Sequence, residues 1–135
     1  MSASIANHTK RSTVIGTPLW MSPELIESGA YGKPTDVWSL GITAIELVKG
    51  RPPHIELSAL LAMYTIVNEE APSLDAAAHD AALATFVSRC LEKSPAERAT
   101  CAQLLEEAEG AAAAPGASTV EGAAPLCAPL CGLRP

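Results

Sequence analysis

The chain has 135 residues, too few for two ordinary domains, and its nine Lys and Arg against fifteen Asp and Glu leave a formal net charge of −6. That balance excludes the basic footprint of a nucleic-acid binder. Apolar residues make up 48% but aromatics only 4%, so alanine carries much of the apolar count and any core is thin.

No apolar run long enough to span a bilayer or to serve as a signal peptide occurs, and His8, Lys10 and Arg11 interrupt the N-terminus. The expectation is a soluble, cytoplasmic chain without membrane contact. Cys90, Cys101, Cys127 and Cys131 are too unevenly placed for a disulfide framework and are read as reduced thiols. His8, His54 and His79 lie far apart, and a single C-x3-C spacing lacks the second pair that a closed zinc site needs, so no metal site is expected.

Helix signals then follow in chain order. Ser22 before Pro23 and Glu24 has the form of a helix start, with Gly29 ending a short helix. Thr35 and Asp36 open a stronger helix that Gly50 closes ahead of Pro52 and Pro53. A third helix is predicted over about 58–68, and Asp80 caps a fourth that runs to about Glu92. Ser94-Pro95-Ala96-Glu97 has the pattern of a capping box, and Thr100-Cys101-Ala102-Gln103 repeats it before a last helix over about 101–109. From Gly110 to Pro135 the chain is rich in Ala, Gly and Pro without periodicity, which predicts a disordered tail. Its end, Leu126 to Cys131, is apolar but broken by proline, and a docking peptide is the alternative.

The central helix is the informative one. Val37, Trp38, Leu40, Ile42, Ala44, Ile45, Leu47 and Val48 cover an arc of about 220° on a helical wheel, leaving only Asp36, Ser39, Thr43 and Glu46 outside it. A surface helix needs a stripe of roughly 100°. A helix apolar over twice that width belongs at the centre of a body larger than the few ordered residues here can form.

Three blocks carry a resemblance. Thr13 to Glu24 (Thr-Val-Ile-Gly-Thr-Pro-Leu-Trp-Met-Ser-Pro-Glu), Asp36 to Gly41 (Asp-Val-Trp-Ser-Leu-Gly), and Cys90 to Pro95 with Arg98-Ala99-Thr100 resemble, in order, the second half of a eukaryotic protein kinase domain. Lys10 to Pro18 and Gly41 to Glu46 further resemble the Hippo-type germinal-centre branch of Ser/Thr kinases. The resemblance implies a mainly α fold, a partial kinase C-lobe of about five helices. Residues 1–15 would be a flexible part of the activation loop, 16–109 the C-lobe fragment and 110–135 the disordered tail.

It also implies roles. Gly16, Thr17, Pro18 and Trp20 would form the substrate-facing loop, and Thr13 aligns with the branch's activating phosphorylation site, with Thr17 a second candidate beside it. Phosphate on Thr13 would place about −1.5 to −2 charges beside Lys10 and Arg11. Glu24 would pair with Arg98, although a surface Glu in a helix first turn fits the local sequence equally well. Asp36 matches the aspartate whose carboxylate holds the family's catalytic loop, but locally it is a helix-start carboxylate. Trp38 is read as packing.

The catalytic parts are missing from this sequence. Phosphoryl transfer needs a Gly-rich loop, a strand Lys, a catalytic-loop Asp with its Asn, and an Asp on magnesium. The chain contains no G-x-G, no Val-Ala-x-Lys, no His-Arg-Asp and no Asp-Phe-Gly. No catalytic, cofactor-binding or metal residue is therefore assigned, and ATP and magnesium are expected only of a full-length parent. Two readings remain open: a piece of a Ser/Thr protein kinase acting on protein substrates, completed by a missing N-terminal half, or a noncatalytic kinase-derived scaffold that binds protein partners.

Overall fold

A computed structural model describes residues 18–113. Thr13, Gly16 and Thr17, the expected activation-loop stretch and residues 114–135 of the expected tail lie outside the described residues. After a 3-10 turn over Pro18–Trp20 come five helices: α1 (Pro23–Ser28), α2 (Lys33–Lys49), α3 (Ala59–Asn68), α4 (Ala81–Cys90) and α5 (Cys101–Ala112). Among the described residues there is no strand, and no helix is long and apolar enough to cross a membrane.

Helices α3, α4 and α5 each begin at a side chain that meets one of their free amides. Asp80 accepts from the Leu83 N–H at 3.0 Å and Ser58 from the Leu61 N–H at 3.3 Å. Thr100 and Gln103 form the reciprocal box, Thr100 Oγ1 accepting from the Gln103 N–H at 3.3 Å and Gln103 Oε1 from the Thr100 N–H at 2.9 Å. Gly29 (φ 68°) and Gly50 (φ 76°) end α1 and α2 in the left-handed conformation that only glycine enters without strain.

Several starts and stops differ from the sequence expectation. Helix α2 opens at Lys33, two residues before Thr35, because Pro34 fits the first turn, where its missing N–H would be unpaired anyway. Ser22 holds the extended N-cap backbone, yet its hydroxyl makes no cap bond and is fully buried. Ser94 to Glu97 starts no helix: the Ser94 carbonyl accepts from Glu97 and Arg98 N–H at 3.1 and 2.9 Å, and the single turn stops there. The Ser94 N–H goes to the Glu92 carboxylate at 3.4 Å, while the Ala99 N–H turns back to the Arg89 carbonyl at 3.3 Å, which ends the turn. Helix α5 continues through Gly110 to Ala112, taking in the first residues assigned to the tail.

The core forms where α2 packs on α4. Val37, Trp38, Ile42 and Ile45 meet Val87, Cys90 and Leu91, with Ile66, Leu74, Ala99 and Leu104 closing the edges. Burial pushes the Cys90 thiol up to about 11, so this sulfur is an inert packing group. The remainder of the wide apolar arc stays open: Leu40, Leu47 and Val48 are exposed, Leu47 at 81%. These described residues cover only part of α2.

Lys93 fastens α3 from a distance. Its ammonium, half-buried, donates to the Ile66 and Val67 carbonyls at 2.6 and 2.8 Å, capping the end of a helix whose last turn has no basic residue of its own. Burial draws its pKa below the ordinary lysine value. Lys93→Met keeps the stem but leaves two carbonyls short of a partner, so an unfolding free energy lower by about 1–3 kcal/mol is expected in urea denaturation.

Candidate functional site

The segment that precedes α1 is held against α2 by a stripe of polar side chains. Pro18 is buried and its carbonyl accepts the Met21 N–H at 3.0 Å, which turns the chain toward α1. Trp20 is gripped twice. Its carbonyl accepts from Ser39 Oγ at 2.8 Å, and its indole N–H donates to Glu46 Oε2 at 3.1 Å. Thr43 Oγ1 in turn donates to the Ser39 carbonyl at 2.9 Å.

Ser39, Thr43 and Glu46 are residues to which the sequence reading gave no role. A signal existed. With Asp36 they are the only polar positions in the α2 arc from 36 to 48, and their spacing of three and four puts them on one face. A narrow polar stripe on an otherwise apolar helix marks where a polar segment must lie against it.

The other end of the segment enters an ion-pair hub. Glu24, in the first turn of α1, meets Arg98 through both oxygens: Nη1 to Oε1 at 2.8 Å and Nη2 to Oε2 at 3.0 Å. Arg98 spends its remaining donors on backbone carbonyls, Nη1 on Pro34 at 2.7 Å, Nε on Glu92 at 2.8 Å and Nη2 on Lys93 at 3.3 Å. All five guanidinium N–H groups are used. The Arg98 side chain is 0% exposed, and its guanidinium lies 5.2 Å from the centre of the Trp38 ring, within cation–π range. Thr35 Oγ1 adds a bond to Glu24 Oε1 at 3.3 Å.

Two opposing effects act on the Glu24 carboxyl. Burial raises its pKa, while the Arg98 hydrogen bonds and charge, with a backbone amide and Ser22 close by, lower it further, leaving it at about 2. Glu24 is therefore a carboxylate at any physiological pH. Trp38 sits wholly inside the core under Arg98, and its indole N–H makes no hydrogen bond there.

Asp36 stands apart from this hub. It is exposed at the first turn of α2, and Oδ1 accepts the Tyr31 hydroxyl at 3.0 Å, which raises the Tyr31 pKa. The structure therefore brings Pro18 and Trp20 to the polar stripe and joins Glu24, Arg98 and Trp38 in one cluster, with Asp36 outside both.

These residues do not fit ATP or magnesium. Among the described residues no group of three or more His, Cys, Asp or Glu is placed to hold a metal ion, and the sequence has no G-x-G turn to wrap phosphates. The arrangement positions a polypeptide segment.

The sequence matches the protein kinase domain family over residues 1–108. It is 46% identical over 98 residues to the serine/threonine-protein kinase hippo of Drosophila melanogaster, a match taking in 72% of this chain and 15% of that protein. It is 44% identical over 107 residues to the serine/threonine-protein kinase dst1 of Dictyostelium discoideum, covering 78% of this chain and 14% of that protein. With the serine/threonine-protein kinase Tao of Drosophila melanogaster it shares 44% identity over 100 residues, 72% of this chain and 10% of that one. The chain thus spans between 10% and 15% of the lengths of these relatives. These relatives accord with the resemblance to the Hippo-type germinal-centre branch.

Proposed function

The chain belongs to the protein kinase domain family as a fragment of a Ser/Thr kinase domain, and from that premise we propose that it is the substrate-facing and helical part of an enzyme that transfers the γ-phosphoryl group of ATP to Ser or Thr of cytoplasmic proteins in signalling. Residues 16–24 present the protein substrate, α2 is the central support, and 58–109 are the outer helices. Phosphoryl transfer itself requires the Gly-rich loop, the strand Lys and the catalytic-loop Asp, and those belong to a segment outside this sequence. The chain by itself is inactive.

The observation that carries this reading is the hub. The family match covers residues 1–108, and within it one guanidinium ties the first turn of α1 to a stretch 74 residues further on. The uncovered strip of Leu40, Leu47 and Val48 supports it, since a helix shaped for wider burial is suited to a further covering element.

The test has two arms. The 135-residue chain alone is expected to incorporate no phosphate from labelled ATP into casein and to show no melting shift with ATP and magnesium. Joined in frame behind the ATP-binding half of the Drosophila hippo kinase domain, it is expected to support labelling on Ser and Thr. A folded chimera that stays inactive overturns the proposal.

The second reading, a noncatalytic scaffold, rests on the same exposed strip used as an interface. It requires the isolated chain to be monodisperse with one cooperative transition, and a broad transition with dye-binding hydrophobic surface removes it.

A further inference from the structure

A cavity of about 360 Å³ lies at the C-terminal end of α2, with the core residue Ile45 on its wall. Ile45, Pro53 and Pro72 form apolar wall, and Lys49, Arg51 and His54 line the same space. On a chain of net charge −6, two cations and an imidazole within six residues are a local reversal of sign. Glu56, also at the cavity, takes Nη1 of Arg51 at 2.8 Å, but both side chains are about two-thirds exposed, at 67% and 63%, so the pair is screened and most Arg51 donors stay free. Lys49 has no hydrogen-bond or ion-pair partner among the described residues.

His54 supplies an independent sign. It is the one non-glycine residue with positive φ among those described, at 64°, a conformation that side chains enter rarely. Its Nε2 is buried without a hydrogen-bond partner, whereas buried polar atoms are nearly always paired. The ring is thus held in an unfavourable setting on the wall of a cavity that Lys49 and Arg51 also line. An anionic group that drew the ring outward would give Nε2 the bond it lacks.

We propose that this cavity is a docking site for a phosphorylated Ser or Thr side chain of a partner protein, bound by Lys49, Arg51 and the reoriented His54. A phosphomonoester brings about −1.5 to −2 charges and three acceptor oxygens, which three donor-bearing residues can share. A carboxylate is the poorer match, because it brings one charge and two oxygens to an arginine that already holds one carboxylate. The site needs no phosphoryl transfer by this chain, so its test is separate from that of the kinase reading.

The full chain is titrated with N-acetyl-phosphoserine amide while the ring resonances of His54, His79 and His8 are followed by NMR. Saturable shifts at His54, with His79 and His8 unmoved and a Kd of about 1 mM or tighter, are expected. Lys49→Gln with Arg51→Gln should weaken binding by about tenfold or more, while Lys33→Gln, an exposed lysine on the first turn of α2, leaves it unchanged. N-acetyl-aspartate amide should bind more weakly than the phosphoserine probe. Binding that does not saturate, that survives the double substitution, or that the aspartate probe matches overturns the site. Inorganic phosphate binding as tightly as the phosphoserine probe overturns the side-chain source and leaves a free-anion site. The wild-type comparison of probes decides the matter even if the double variant fails to fold.

Discussion

Arg98→Met is expected to lower the unfolding free energy by about 3–5 kcal/mol, a large part of the 5–15 kcal/mol that holds a domain of this size together. Methionine fills much of the guanidinium stem's volume but strands the Glu24 carboxylate, which is 14% exposed, and leaves the Pro34, Glu92 and Lys93 carbonyls without their donor. Arg98→Lys should recover little, since one ammonium cannot span two carboxylate oxygens and three carbonyls while lying on the Trp38 face. Glu24→Gln should cost less, about 1.5–3 kcal/mol, as the amide still accepts one bond. The double variant Glu24→Gln with Arg98→Met should fall short of the sum of the two, because no charge is left stranded. Urea denaturation followed by tryptophan fluorescence measures all four, and strict additivity would contradict the pairing.

The same pair predicts the acid limb. The Glu24 pKa moves from 4.5 in the unfolded chain to about 2 in the fold, so the folded state binds fewer protons between those values. Its stabilisation is fully present above pH 4.5 and is lost as pH falls toward 2. The difference corresponds to about 3 kcal/mol. Glu24→Gln should flatten stability against pH over this window while leaving the curve above pH 5 parallel to that of the wild type.

What could be read from the sequence was local. Asp80, Ser58, Thr100 with Gln103, Gly29 and Gly50 each act through backbone groups three or four residues away, and the helices they bound formed within a few residues of expectation. The misreadings arose where a distant partner overrides the local preference. Ser94 to Glu97 has a helix-start pattern, but the chain there turns to deliver Arg98 to a carboxylate 74 residues away. Ser22 has the cap residue type, yet its hydroxyl is buried in the core. Lys93 looks like any surface lysine until α3 places two carbonyls in front of it. His54, on the wall of the cavity, has a left-handed backbone that no residue type announced.

Gly41 shows how much a motif residue can hide until its neighbours are placed. A Cβ built there would lie 2.7 Å from Cys90 Cβ and 2.8 and 2.9 Å from Cδ2 and Cγ of Leu91, closer than side-chain carbons approach. Cys90 Cβ moves only with the α4 backbone, so α2 and α4 must separate for any side chain to enter. Ala in place of Gly gains up to about 1 kcal/mol in helix propensity. The overpacking costs about 1–3 kcal/mol, so Gly41→Ala should be destabilising on balance and Gly41→Val clearly more so. The sign tests the packing, since a loosely packed site would show Gly41→Ala as stabilising. A double-mutant cycle locates the strain: Leu91, buried at 2%, should cost about 2–5 kcal/mol when cut to alanine in the wild type and markedly less in the Gly41→Ala background, where the smaller side chain relieves the contact. An equal cost in both backgrounds would place the clash elsewhere. Helix α2 carries the polar stripe that grips Trp20, so parting it from α4 should also loosen the 18–24 segment and raise the exposure of Trp20 to a fluorescence quencher.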